Sequence, residues 1–167
     1  MDLTPYIRWI VFLHILGAFA FVAGHGVSMF VVFQVRRERD RTKLEALLDL
    51  SGWSLALAGI GLLVLLISGI LAGIVLNSWG SWWIWISLAM FIVIGLVMTP
   101  VGGNYLRNLR VAIGQRPRNA KTGDPDPVPA SDGELAALQA SRAPELLLLL
   151  GAGGFVLILF LMRFRPF

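Results

Sequence analysis

Cysteine is absent from this 167-residue chain, and only two histidines are present. The first absence excludes disulfides, thiolate metal centres, covalent c-type haem attachment and cysteine-ligated iron–sulfur clusters. Charge is also scarce: Asp, Glu, Lys and Arg make up 14% of the residues against 57% hydrophobic, with a mean hydropathy of +0.77. Such a chain is too apolar for an ordinary water-soluble domain and reads as a membrane protein whose first partner is the lipid bilayer. Acidic residues fall only in the tail, the loops and the membrane edge. A nucleophile–base–acid constellation is therefore missing, which argues against an enzyme. Coupled transport is disfavoured too, because it usually relies on a carboxylate, a basic residue or a broken helix at mid-membrane depth.

Four long apolar runs are present, at about residues 7–35, 52–77, 82–103 and 145–162. Each is close to the ~20 residues that cross ~30 Å of hydrocarbon. They consume most of the chain, so the expectation is an all-α membrane protein, one domain over 1–167, built as an up-down bundle of four transmembrane helices with short cytoplasmic interfacial helices. The net charge of +4 does not indicate nucleic acid, because the basic residues sit in loops beside apolar spans. Arg36, Arg37, Arg39, Arg41, Lys43, Arg107, Arg110, Arg116, Arg118, Lys121 and Arg142 lie on one side, against Arg8, Arg163 and Arg165 on the other. The positive-inside rule then places both basic loops in the cytoplasm and both termini outside, with the first run an uncleaved span. Arg107 and Arg110 are expected at lipid phosphates.

Thr42-x-x-Glu45 and Ser131-x-x-Glu134 have capping-box spacing and predict interfacial helices near 42–50 and 132–142, the first either bending at Ser51-Gly52 into the second span or running into it as one continuous helix. Thr99-Pro100 and Gly102-Gly103 predict a loosened end to the third span, with a helix continuing to Gly114. The 115–130 stretch is rich in proline and charge and predicts a flexible loop. Trp79, Trp82, Trp83 and Trp85 supply an outer aromatic belt, and Gly69-x-x-x-Gly73 a close helix contact.

Both histidines lie in the first span, IRWIVFLHILGAFAFVAGHGVSMFVVFQV. At ~100° per residue, His14, Gly17, Phe21, Gly24, His25 and Ser28 share one face. Eleven steps separate the imidazoles by roughly 16 Å along the axis. An imidazole in lipid is costly unless it faces the bundle interior or binds something. The glycines beside it admit either a flat ligand or a neighbouring helix, so ligand binding and plain packing both remain open.

The stretch FLHILGAFAFVAGHG, followed by RRERDRTKLEALLDLS and the outer tryptophans, resembles a loose set of bacterial four-span membrane proteins. The set comprises copper-resistance D-type proteins, haem-binding membrane protoporphyrinogen oxidases, and predicted integral membrane proteins without assigned function; the last group is the nearest in pattern. The resemblance implies a multi-pass protein of the bacterial inner membrane. It also assigns a ligand role to His14, which occupies the matching H-x-x-G position. The oxidase-like members use further polar residues on other helices, whereas the later spans here carry no His, Lys or Arg in their middles.

Three arrangements follow for cofactors. In the first, His14, beside Gly17, is an axial ligand of haem b, and His25, beside Gly24, is a second site or a polar contact. His14 and His25 cannot share one iron, so a bis-histidine site needs a second copy or a partner subunit; within one chain only Met29, Met90, Met98 or Met162 could serve as a sulfur ligand. In the second, His25 and Met29 at i, i+4 hold copper. In the third, a haem is ligated by a different protein and this chain only packs beside it; a separate reading has no cofactor, the chain being an accessory subunit of a larger membrane complex.

Overall fold

A computed structural model of the chain describes residues 3–117, 120 and 125–166. Every regular element among them is helical: a 3-10 turn at Thr4–Tyr6, α1 (Ile7–Val35), α2 (Arg41–Val75), α3 (Trp82–Ala112), the short α4 (Asp132–Gln139) and α5 (Ala143–Phe164). α1, α2, α3 and α5 contain the four segments long and apolar enough to cross a membrane. They alternate in direction, so the N-terminus, the α2–α3 turn and the C-terminus share one end, here the turn end. The α1–α2 and α3–α5 connections share the other, the loop end.

Two helices are longer than their apolar runs. α2 is a single 35-residue helix, not an interfacial helix bent into a span at Ser51-Gly52. Ser51 and Gly52 are both buried, Ser51 in hydrogen-bond contact with Ser28 of α1, and helical packing there leaves no reason to break. At 1.5 Å per residue α2 measures ~52 Å, so its first turns project beyond a ~30 Å hydrocarbon layer. Its cap is Asp40, not Thr42: the Asp40 carboxylate accepts the amides of Thr42 at 2.9 Å and Lys43 at 3.4 Å. α3 likewise runs unbroken through Pro100. It ends where Gly114 adopts φ +84° and the Gln115 amide returns to the Arg110 carbonyl at 2.8 Å. At α4 the expected capping box forms, with Ser131 and Glu134 reciprocally bonded.

The spans pack as two antiparallel pairs, α1 with α2 and α3 with α5. On α1 the small residues Gly17 and Gly24 are seven apart; on α2 Ser54, Gly61 and Ser68 keep the same interval. A seven-residue repeat of small side chains lets two antiparallel helices approach until backbones touch. A Cβ on Gly24 would lie 2.4 Å from the Ser54 carbonyl oxygen, and one on Gly61 would lie 2.5 Å from the Phe21 nitrogen. The α3–α5 pair works differently: Met98 and Ile94 fill the space left by Gly151 and Gly154.

The pairs are joined at the loop end. Val31, Val32 and Val35 of α1 meet Leu44 and Leu48 of α2, Tyr105, Leu109 and Ala112 of α3, and Leu135 of α4 in one buried cluster. Arginines of the two basic loops brace that cluster, and Arg110, expected at lipid phosphates, is one of them. Arg110 is buried, with its guanidinium 2.8 Å from the Asp49 carboxylate and donating to the Leu48 carbonyl. Arg36 pairs with Glu145. Gln139 donates to the Val35 and Glu38 carbonyls at 2.7 and 2.8 Å, and Arg39 donates to Gln139. The flexible-loop expectation for 115–130 falls partly on residues 118–119 and 121–124, outside the described residues. Both ends of that segment are held, Gln115 by Arg110 and Asp49, and Ala130 by Ala112 and Arg41.

Candidate functional site in the first span

His14 lies two turns from the turn end of α1 and faces α2. Its Nδ1 is 3.0 Å from the Leu65 carbonyl oxygen. The Ser68 hydroxyl, itself donating to the Val64 carbonyl, is 3.4 Å away from the same nitrogen. Gly69 supplies the room for the ring, since a Cβ there would sit 2.9 Å from His14 Cε1. A carbonyl only accepts, so the Leu65 bond places the ring proton on Nδ1 and leaves Nε2 with its lone pair. Gly69-x-x-x-Gly73 is thus split between two tasks: Gly69 seats His14, and Gly73 lies against the Trp79 ring of the outer turn.

The structure brings Gly17 and Gly24 into the same seam, but what approaches them is a helix. A Cβ on Gly17 would lie 2.7 Å from the Leu65 nitrogen, and Gly24 is closed in by Ser54 and Ala58. Nearer the loop end the Ser28 and Ser51 hydroxyls meet at 2.8 Å, both buried. The seam therefore carries a polar contact at each end and close-packed glycine between them.

His25 is set apart from this seam. Its ring stands edge-on to Phe21, with centroids 4.7 Å apart, and Phe21 in turn lies 6.2 Å from Phe91 of α3. His25 thus sits beside the junction of the two helix pairs, and Met29 lies one turn further along α1. Among the described residues no three His, Cys, Asp or Glu side chains converge as a metal centre. A site at either histidine would accordingly use one imidazole, completed by sulfur, the group's own atoms or another chain.

The composition of the site explains what sequence reading could reach. The face shared by the histidines and glycines follows from helical periodicity. The Leu65 carbonyl could not be anticipated, because a backbone acceptor leaves no trace in residue type; the small pair Ser68-Gly69 is the one local signal that a bulky neighbour is being accommodated.

Four apolar spanning helices in two antiparallel pairs, with their only ionisable mid-span groups on α1, define an all-helical integral membrane protein. The chain belongs to the family described as predicted integral membrane protein (DUF2269), which it matches over residues 8–166. No curated protein and no solved structure matches it. The family match agrees with the resemblance to membrane proteins of unassigned function; it does not link the chain to copper-resistance D-type or protoporphyrinogen oxidase proteins.

Proposed function

We propose that the protein binds b-type haem within the membrane through Nε2 of His14. The observation that carries this reading is the 3.0 Å bond from Nδ1 to the Leu65 carbonyl. Metal-ligating histidines almost always donate their other ring N–H in this way, which fixes the tautomer and makes the free nitrogen more basic. Gly69 and Ser68 hold the ring in place. His14 would be the one imidazole this chain brings to the group; a second protein donor would have to be a methionine sulfur or come from a second copy, since His25 is roughly 16 Å further along the helix. When bound, haem would supply one-electron redox chemistry. The chain's own part is to orient the imidazole and keep water from it. In the same reading the loop end faces the cytoplasm of a bacterial inner membrane, because it carries most of the Lys and Arg.

An accessory bundle without cofactor is the second reading, and one observation favours it. The space that Gly17 and Gly24 provide is taken by the α2 backbone, and His14 Nδ1 is already satisfied. Absorption spectra of protein purified after haem-sufficient expression, in both redox states, together with metal analysis, separate the two. A Soret band lost in His14→Ala and kept in His25→Ala supports the haem reading. A colourless, metal-free preparation overturns it in favour of the accessory bundle, and copper without haem would favour the His25–Met29 pair. For orientation, Val128→Cys, placed on an exposed loop residue, should resist a membrane-impermeant thiol reagent in intact cells; labelling there would invert the topology.

A further inference from the structure

Away from the histidines, the loop end carries a groove of about 770 Å³ between α3, α4 and the connecting residues Pro117, Val128 and Ala130. Its walls are mostly apolar and include Val111, Val128 and Leu138; its polar groups include Arg107, Asn108 and Glu134. The other arginines of α3 and of the first loop that brace the core are consumed by internal partners, as Arg110 is by Asp49. Arg107 is exposed and has no hydrogen-bond or ion-pair partner among the described residues. Glu134 uses Oε2 for the amide and hydroxyl of Ser131, at 2.9 and 2.8 Å, and its Oε1 has no donor among the described residues. One groove thus presents an unpaired guanidinium and a half-used carboxylate that do not pair with each other, over an apolar floor, where the third span ends.

The geometry points to a binding site for the headgroup of an aminophospholipid, with the phosphate on Arg107 and Asn108, the primary ammonium on Glu134 Oε1, and the glycerol and upper acyl carbons on the apolar floor. Guanidinium suits phosphate because its planar N–H donors match paired phosphate oxygens. The carboxylate sets the class of lipid. It would repel a purely anionic headgroup, and a quaternary choline has no N–H to donate to it. A zwitterion bearing a primary ammonium satisfies both charges, which is the charge pattern of the groove.

The test is native mass spectrometry of the full chain in detergent, titrated with short-chain phosphatidylethanolamine, phosphatidylcholine and phosphatidylglycerol. Phosphatidylethanolamine should bind about tenfold more tightly than either of the others, as one added charge-assisted hydrogen bond warrants. Arg107→Gln should weaken all three lipids. Glu134→Gln should abolish the preference for phosphatidylethanolamine while leaving overall lipid affinity in place; glutamine still serves the capping box, so α4 is retained, which far-UV circular dichroism checks. Equal affinity for the three lipids, tighter binding of phosphatidylglycerol, or an unchanged preference in Glu134→Gln would overturn the assignment. Full competition by equimolar soluble glycerophosphoethanolamine would overturn the lipid as the source of the headgroup.

Discussion

Gly24 and Gly26 are two residues apart on the same helix, and alanine at each should have opposite effects. A Cβ on Gly26 meets nothing within 4 Å, whereas one on Gly24 would lie 2.4 Å from the Ser54 oxygen and 2.6 Å from the Ala58 nitrogen. Both of those atoms are backbone and cannot rotate away. Restoring ordinary contact therefore requires α1 and α2 to separate locally by about 1 Å. The Ser28–Ser51 bond at 2.8 Å, one turn away, would then be stretched past hydrogen-bonding range. Overpacking costs about 1–3 kcal/mol, and each intramembrane hydrogen bond lost adds on the order of 0.6 kcal/mol. Alanine's helix preference returns up to about 1 kcal/mol at either site. Gly24→Ala should accordingly be destabilised by about 1–3 kcal/mol, and Gly26→Ala should be neutral or slightly stabilised. Reversible unfolding in mixed detergent and dodecyl sulfate micelles, followed by circular dichroism, reads the difference. Coincident unfolding curves for the two variants would refute the close approach of α1 and α2.

A double-mutant cycle over Ser28→Ala and Ser51→Ala should return a coupling of about 0.6 kcal/mol in the same assay; additive effects would mean the hydroxyls do not bond. Arg110→Met should lower stability by about 1.5–3 kcal/mol, since it removes hydrogen bonds from a buried cation to Asp49 and Leu48, and a neutral result would show that the guanidinium sits in water. Glu38, in the first loop, accepts the amides of Arg39 and Asp40 at 2.9 and 3.0 Å, which holds its carboxyl below the ordinary 4.5. A lowered folded-state pKa stabilises above the unfolded value and is lost as pH falls through 4.5 toward the folded value. Glu38→Gln should therefore flatten the acid limb of a stability-against-pH curve and leave the neutral plateau's slope unchanged; an identical acid limb would refute the contact.

The four-span architecture was legible because span length and hydropathy are set by the bilayer, which reads each run separately and asks nothing of its neighbours. Helix ends were less legible wherever a tertiary contact decided them. Thr42-x-x-Glu45 satisfies a capping pattern, yet Asp40 wins because its carboxylate reaches two amides at once, and α2 stays unbroken through Ser51-Gly52, where Ser51 is bonded to Ser28 of α1. The basic residues show the same limit more sharply. As a set, their placement carries an orientation signal, but sequence alone cannot tell which arginine points outward. Arg107 and Arg110 are three residues apart on one helix, and the fold buries one against Asp49 while leaving the other at the rim of a groove.

His14 and Gly17 illustrate why a site in a membrane helix is half visible. Periodicity places them on one face with Gly24 and Ser28, and in α1 that face is indeed the buried one. The same glycines would serve a flat ligand or a second backbone equally well, because each needs only the missing Cβ. What decides is the partner helix, whose Gly61, Ser54 and Ser68 recur at the interval that matches α1. Once α2 occupies the glycine face, the chemistry open to His14 narrows to one nitrogen. Nδ1 is committed to Leu65, so any ligand must be taken through Nε2, from the side of the ring that α2 does not cover. That restriction makes one nitrogen the most that His14 itself could offer a ligand, and a further donor there would have to be a methionine sulfur or a group of another molecule rather than His25, which lies roughly 16 Å along the helix.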